Sequence, residues 1–98
     1  MSQRHFIIYD LEATCWRSRA PKRVEVIEIG AVKVNESLDI VDEFCVFVKP
    51  TLHPQISKFC TQLTSITQSD VDRAPFFDEA IEAFEDWIDP KASRAVLM

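Results

Sequence analysis

The chain is poor in the features that mark specialised classes of protein. It has a single glycine, Gly30, and its three cysteines, Cys15, Cys45 and Cys60, contain no Cys-x-x-Cys spacing. Neither a disulfide framework nor a zinc site is therefore indicated, and we expect reduced thiols packed in the core of a cytoplasmic protein. The sequence has no apolar run long enough to span a membrane, and its first residues lack the apolar core of a signal peptide.

The sequence also lacks an excess of basic residues. Its 98 residues include 11 Lys and Arg against 16 Asp and Glu, which gives a net charge of −5. This balance argues against a protein that holds nucleic acid by bulk electrostatics. This argument does not apply to a metal-dependent enzyme, because its carboxylates bind divalent cations and the cations then contact the phosphate. With 47% hydrophobic and 28% charged residues, the chain is typical of one small globular domain.

The first half of the sequence contains three segments rich in β-branched residues. These segments predict an antiparallel meander, with turn-forming residues at 35–37 between the second and third strands. The polar segment 15–23 has no periodicity and is predicted to be a loop. The predicted strands run from His5 to Asp10, from Val24 to Val34 and from Ile40 to Val48.

The second half predicts helices. Short helical turns are expected from Gln55 to Cys60 and again after Thr67, where residues 67–70 resemble a capping box with Asp70 in place of Glu. A longer helix follows Pro75 and ends before Pro90. The apolar residues at i, i+4, i+7 and i+11 that form its stripe are Phe77, Ile81, Phe84 and Ile88.

The last four residues, 95–98, resemble the opening of a further strand. A strand that stops in mid-run leaves its hydrogen-bonding partners unexplained, so we expect the chain to be incomplete.

The most informative residues are Asp10 and Glu12, which follow the apolar run 6–9. Residues i and i+2 of a strand point to the same face, with Cα atoms about 6.5 Å apart. Two carboxylates on one face provide the hard oxygen ligands that Mg²⁺ and Mn²⁺ prefer. Asp-x-Glu is nevertheless a common tripeptide, and a solvated strand end is the alternative interpretation.

Three blocks of sequence, in order, resemble the DEDD-type 3′-to-5′ exonucleases, which are DnaQ-like enzymes. The nearest branch is similar to the ERI-1-like and KapD-like proteins that process RNA ends. The blocks are residues 8–16 (IYDLEATCW), 25–32 (EVIEIGAV) and 59–72 (FCTQLTSITQSDVD).

The resemblance implies an α/β fold of the ribonuclease-H-like type, in which four acids and a His or Tyr hold two divalent ions. Only Asp10 and Glu12, the acids of the first motif, have counterparts here. The resemblance thus implies that the full-length protein is a 3′-to-5′ exonuclease. We expect it to use two Mg²⁺ or Mn²⁺ ions and to act on the 3′ end of single-stranded RNA more readily than DNA. The 98-residue chain alone is expected to be inactive, because the remaining metal ligands are missing.

Further site residues follow from the same resemblance. Residues predicted to approach the terminal nucleotide are Leu11, Ala13, Thr14, Thr64 and Ile66, with Ser65 standing where the family has glycine. Core packing is an equally good role for Leu11.

Other residues carry weaker signals. Arg17 and Arg19 could meet the substrate backbone, or could belong to a solvated loop face. Glu28 could orient the metal-binding acids, or form a salt bridge or an exposed face. Trp16 is expected to anchor the core rather than stack on a base. Gly30 suggests a bulge or a close backbone approach within its strand.

Two other functions stay open. A non-catalytic interaction module could retain the first half of the fold, and its unfinished sheet edge would make a homodimer or domain swap credible. A different two-metal hydrolase on the same fold is also compatible with Asp10 and Glu12.

Overall fold

Three antiparallel strands and three helices make up the fold of this chain. The computed structural model describes residues 4–18 and 23–89. The sheet has the strand order β1-β2-β3, so the chain forms the predicted meander, with β1 at one edge. The elements are β1 (His5–Ala13), β2 (Val26–Asn35), β3 (Ile40–Phe47), α1 (Lys58–Thr64), α2 (Gln68–Asp72) and α3 (Phe77–Ile88).

The predicted strands are confirmed with shifted ends. β1 continues beyond Asp10 to Ala13, so both Asp10 and Glu12 lie inside a hydrogen-bonded strand. A register shift follows between Glu12 and Ala13, and a second one lies between Lys33 and Val34. Both shifts lie away from Gly30, and a Cβ atom added to Gly30 would meet nothing within 4 Å. The expectation of a bulge or close backbone approach at Gly30 is therefore wrong.

The turn between β2 and β3 is built on Asn35. Its side-chain oxygen accepts hydrogen bonds from the backbone N–H groups of Ser37 and Asp39, each 2.9 Å long. Asx turns of this kind are why Asn is favoured at such positions. Leu38 adopts a φ of 68° and is 78% exposed, so it contributes neither packing nor relaxed backbone geometry.

The short helices have well-defined ends. The hydroxyl of Ser57 caps α1 by accepting from the N–H of Cys60, and α1 begins three residues later than the predicted helical turn. The capping box predicted before α2 is confirmed, since Thr67 and Asp70 exchange side-chain and backbone hydrogen bonds.

The predicted long helix is confirmed as α3. Phe84 is 3% exposed and packs with Ala80 against the sheet, while Phe77 at the start of the stripe is 49% exposed. The far end of α3 is tied to the sheet by Trp87. Its indole N–H donates to Asp42 Oδ2 at 3.0 Å, and its carbonyl accepts from Lys33 Nζ at 2.9 Å. Pro90 and the further strand expected at 95–98 lie outside the described residues.

Two clusters of buried side chains form the core. One joins β2 to α1 and α2 and contains Ile27, Ile56, Cys60, Ile66 and Val71. The other joins the sheet to α3 and contains Ile29, Ala31, Val48, Ala80 and Phe84. Of the three cysteines, Cys60 is buried, Cys15 is half-buried and Cys45 is exposed, so the prediction of core packing is wrong for Cys45.

Candidate metal and nucleic-acid site

Asp10 and Glu12 lie on one face of β1, and α3 lies on the other. The rings of Tyr9 and Phe84 make an edge contact with centroids 5.9 Å apart, which fixes the α3 side of the strand. Because side chains alternate along a strand, Asp10 and Glu12 project away from α3. Asp10 is exposed, and its Oδ1 accepts a hydrogen bond of 3.0 Å from the N–H of Leu11. Glu12 is half-buried.

A third carboxylate lies on the same face. Glu12 pairs directly with Glu28 of β2, and Asp10 pairs directly with Gly30. Directly opposed residues on antiparallel strands share a face, with Cβ atoms about 4.5–5.5 Å apart. The glycine leaves open space beside Asp10, while Glu28 places a like charge beside Glu12.

Glu28 itself is held by the next strand. The thiol of Cys45 on β3 donates a hydrogen bond of 3.1 Å to Glu28 Oε2. Partial burial, this hydrogen bond and the charge of Glu28 raise the pKa of Cys45 to about 11, so it remains a neutral donor at physiological pH. The hydrogen bond fixes one oxygen of Glu28 toward β3, on the side away from Glu12.

The donor set is that of a partial site for a hard cation. In residues 4–18 and 23–89, no Lys or Arg forms an ion pair with Asp10 or Glu12. The same residues contain no group of three or more His, Cys, Asp or Glu placed to hold one metal ion. Two unpaired carboxylates on one face fit a divalent cation, because oxygen ligands and an opposite charge are what such a cation requires. They provide fewer ligands than a full coordination shell, so they would bind it weakly alone.

Thr14 connects the loop after β1 to the segment before β2 by two hydrogen bonds. Its N–H donates to the carbonyl of Glu25 at 2.8 Å, and its hydroxyl accepts from the N–H of Glu25 at 2.9 Å. Thr14 is 2% exposed. The side chain predicted to approach the nucleotide therefore lies in the interior, where it fixes the direction in which the chain leaves Glu12.

Glu25 organises the linker between β3 and α1. Its carboxylate accepts hydrogen bonds of 2.7–3.1 Å from the backbone N–H groups of Thr51, Leu52 and His53. Although partial burial raises the pKa of Glu25, these bonds outweigh it and lower the pKa below the ordinary value of 4.5. Sequence reasoning missed this role, because the partners are 26 to 28 residues away and no local pattern connects them.

Aromatic and basic side chains lie next to this linker. The rings of Trp16 and His53 make an edge contact with centroids 5.1 Å apart, and Trp16 is half-buried, as expected of a residue that anchors the loop. The guanidinium of Arg17 lies over the ring of Phe59, 5.0 Å from its centroid. Arg17 is exposed and so offers a positive charge to solvent, whereas Arg19 lies outside the described residues.

The residue that ends α1, Ser65, has the backbone geometry that glycine adopts most easily. Ser65 ends α1 with a φ of 70°, and its N–H donates to the carbonyl of Thr61. Left-handed backbone geometry is relaxed for glycine and strained for other residues. The Thr64 hydroxyl donates to the Cys60 carbonyl at 2.9 Å, and Ile66 is 3% exposed. Of these two residues predicted to approach the terminal nucleotide, Thr64 is half-buried and Ile66 is a core residue.

A large apolar groove lies on the opposite side of β1. It has a volume of about 700 Å³ and contains neither Asp10 nor Glu12. Its walls are apolar side chains of β1, β2 and α3, including Leu11 and Phe77. An apolar wall has no groups to recognise phosphate, so this groove is not the place where the carboxylate pair would meet a nucleic acid.

No helix in residues 4–18 and 23–89 combines the length and the apolar character that a membrane span needs.

Comparison with known proteins identifies the family of the chain. The sequence model described as Exonuclease matches residues 7–94. The chain is 41% identical over 83 residues to ERI1 exoribonuclease 2 of Danio rerio, covering 84% of this chain. It is also 41% identical over 86 residues to 3′-5′ exoribonuclease 1 of Homo sapiens, covering 86% of this chain.

A solved structure shares the fold. The nuclease domain of 3′hExo, described as a DEDDh family member bound to rAMP, superimposes with a TM-score of 0.83 at 39% identity. The match covers 89% of this chain and 44% of that domain.

The chain thus shares the ribonuclease-H-like fold of 3′-exonuclease domains. The chain belongs to the exonuclease family and is similar to its DEDDh-type, ERI-1-like members. It spans 15% and 25% of the length of the two exoribonucleases named above. Membership of the DEDDh class implies dependence on divalent metal. The roles of the individual site residues stay predictions.

Proposed function

We propose that the protein to which this chain belongs is a metal-dependent 3′-to-5′ exonuclease that removes nucleotides from single-stranded RNA ends. The observation that carries the proposal is the placement of Asp10 and Glu12 on one open sheet face, in a chain of the exonuclease family. RNA is favoured over DNA because the similar proteins of Danio rerio and Homo sapiens are named exoribonucleases.

Asp10 and Glu12 are proposed to hold Mg²⁺ or Mn²⁺, two ions in the complete enzyme. Divalent ions supply activation of water and stabilisation of the leaving oxygen in phosphodiester hydrolysis. The chain's own contribution is to fix the two carboxylates on a rigid strand, which positions ligands better than a loop does. Glu28, held by the Cys45 thiol, adds negative charge beside Glu12 and is proposed to orient the metal-binding acids without being a ligand itself.

The substrate is proposed to enter over the loop that follows Glu12. Arg17 is exposed above Phe59, so its side chain is placed to contact a phosphate. Leu11 is proposed to approach the terminal nucleotide through its backbone, because its side chain, 49% exposed, lies on the other face of β1. Ala13, Thr14, Thr64 and Ile66 are proposed to shape the path of the terminal nucleotide. For Thr14 and Ile66 this contribution comes from packing, because their side chains are buried. Arg19 is proposed to act with Arg17 on the substrate backbone.

The proposal is tested by trimming of a 5′-labelled single-stranded RNA by the full-length protein. We expect ladder-like shortening from the 3′ end that requires Mg²⁺ or Mn²⁺ and stops with chelator. Asp10→Asn and Glu12→Gln should each reduce the rate about a hundredfold or more, because metal binding supplies several kcal/mol of transition-state stabilisation. Glu43→Gln is the matched control, since Glu43 is an exposed acid of β3 without a site role.

Full activity in the Asp10→Asn variant would overturn the proposal. The isolated 98-residue chain should trim little, because Asp10 and Glu12 are only part of a two-metal site. Robust metal-dependent trimming by the chain alone would contradict this second expectation and leave the first intact.

A second candidate function rests on the open edge of β1. Phe6 and Ile8 are 47% and 60% exposed on an edge strand with no strand beyond it in the described residues. Exposed apolar edge strands favour pairing with another strand. We propose that the isolated chain self-associates through β1 into a homodimer, by strand pairing or domain swapping.

Light scattering on the 98-residue chain tests this proposal. We expect a dimer that Ile8→Lys converts to a monomer, because a charge on an edge strand opposes pairing. Val41→Lys, at an exposed position of β3, is the control and should leave the dimer intact. A monomer at all concentrations would contradict the proposal.

A further inference from the structure

Cys15 and Cys60 lie close together at the loop that carries Trp16 and Arg17. Cys15 packs against the buried cluster that contains Cys60, and the Cys60 thiol donates a hydrogen bond of 3.8 Å to the carbonyl of Ala13, two residues before Cys15. Their sequence positions are 45 residues apart, so only the fold brings them together. Cys45, the remaining cysteine, lies on β3 with its thiol on Glu28.

Ser57 holds the backbones of the two cysteines in fixed relation. Its hydroxyl donates a hydrogen bond of 2.6 Å to the carbonyl of Cys15 and accepts one of 2.9 Å from the N–H of Cys60. The same hydroxyl caps α1. One short side chain thus bridges both residues, which limits how far the two thiols can separate.

The thiols also differ in accessibility. Cys15 is half-buried, and Cys60 is 0% exposed. A small oxidant therefore reaches Cys15 first, and the partner thiol that can react next is already beside it. An accessible thiol beside a resolving thiol can form an intramolecular disulfide. Burial and the neighbouring Cys60 raise the pKa of Cys15 to about 11, so little thiolate is present at neutral pH and we expect slow oxidation that accelerates as pH rises.

We propose that Cys15 and Cys60 form a reversible disulfide when the chain meets a peroxide. The Cys15 sulfur attacks one peroxide oxygen, which breaks the O–O bond, releases water and leaves a sulfenic acid on Cys15. The Cys60 sulfur then attacks the Cys15 sulfur, and the sulfenic oxygen leaves as a second water. The two thiols lose two electrons and two protons in total, and one hydrogen peroxide becomes two waters.

The disulfide would connect the loop after Glu12 covalently to α1. That loop carries Arg17, which contacts Phe59 of α1, so oxidation would fix the spacing between the two surfaces. The ring that it closes, residues 15–60, contains β2 and β3. A cross-link over a ring of this length should raise the melting temperature by at least about 5 °C.

Peptide mapping tests the proposal directly. Trypsin, which does not cleave between Lys49 and Pro50, places the three cysteines in three different peptides, residues 5–17, 34–58 and 59–73. The folded 98-residue chain is treated with hydrogen peroxide, alkylated and digested without reductant. We expect a peptide in which 5–17 is linked to 59–73, lighter than the sum of its parts by two hydrogens, which dithiothreitol removes.

Three control experiments test whether the disulfide is specific to Cys15 and Cys60. Cys45→Ser should form the same linked peptide at the same rate, because Cys45 is not part of the pair. Ser57→Ala should form it at least severalfold more slowly, because the bridge between the two backbones is lost. Chain unfolded in urea should lose the preference for Cys15 with Cys60 over pairs that include Cys45.

Two results would overturn the proposal. One is a folded chain in which Cys15 is oxidised to sulfinic acid while Cys60 is still alkylated. The other is linkage that involves Cys45 as often as Cys60. Because mapping needs neither RNA nor metal, failure here is distinguishable from failure of the proposed nuclease function.

Discussion

Glu12 of β1 lies directly opposite Glu28 of β2, so two acids share one face of the sheet with no basic partner for Glu12 among the described residues. Like charges in directly opposed positions are destabilising. A cation bound by Glu12, as proposed above, would offset this repulsion, so we expect added metal to stabilise the fold.

Glu28→Gln should raise the free energy of unfolding by about 0.5 kcal/mol in metal-free buffer. Gln retains an oxygen that can accept the hydrogen bond from the Cys45 thiol, so the charge is the main change. Urea unfolding measures the effect, with Glu43→Gln as the control. A loss of more than about 1 kcal/mol would mean that the Glu28 charge is stabilised by a partner rather than opposed by Glu12.

Ser65→Gly should stabilise the chain by about 1 kcal/mol. Ser65 has a φ of 70° at the end of α1, a conformation in which glycine has no Cβ strain. Ser69→Gly, inside α2, is the matched control and should lose about 0.5 kcal/mol, because glycine is a poor helix former. Equal effects of the two substitutions in urea unfolding would show that the backbone geometry at Ser65 carries no strain.

Gly30→Ala should be neutral or stabilising by up to about 0.5–1 kcal/mol in the isolated chain, because glycine weakens strand interiors and the added Cβ meets nothing within 4 Å. In the full-length enzyme the same methyl group would occupy the space beside Asp10. We expect reduced trimming there without loss of stability, measured by parallel melting and RNA assays. Marked destabilisation would contradict the open space seen at Gly30.

Glu25 should give the chain a pH-dependent stability. Its folded pKa lies below the ordinary 4.5, so the folded state favours the charged form. The contribution is fully present above about pH 5 and is lost as pH falls through the folded pKa. Glu25→Gln should cost about 1–2 kcal/mol at pH 7, from weakened bonds to the 51–53 backbone.

Urea unfolding of wild type and Glu25→Gln at several pH values measures this difference. It should shrink as pH falls below 4.5, whereas Glu36→Gln, an exposed acid in the β2–β3 turn, should show little effect. A difference that is the same at pH 7 and pH 3 would show that the Glu25 charge does not matter.

Local patterns predicted much of the fold. The β-rich segments gave the meander, the stripe of Phe84 and its neighbours gave α3, and Thr67 with Asp70 gave the capping box. These features depend on residues close in sequence. Strand ends shifted because hydrogen bonding continues past Asp10, which composition does not encode.

The parts that sequence reasoning missed depend on long-range pairing. The register that sets Glu12 opposite Glu28 follows from two strands 16 residues apart at that point. The contacts of Glu25 with residues 51–53 and the proximity of Cys15 to Cys60 also require the complete fold. The prediction that Cys45 packs in the core was wrong, because a cysteine on an exposed strand face has the same sequence pattern as a buried one.

Paramagnetic line broadening tests whether Asp10 and Glu12 hold a divalent cation, as we propose. Mn²⁺ is added to the ¹⁵N-labelled 98-residue chain, and the loss of each backbone amide signal is followed. We predict early loss at Asp10, Leu11, Glu12 and Gly30, abolished by combining Asp10→Asn with Glu12→Gln. Early loss instead at the acidic start of α3, around Asp78 and Glu79, with those four signals intact, would contradict the account.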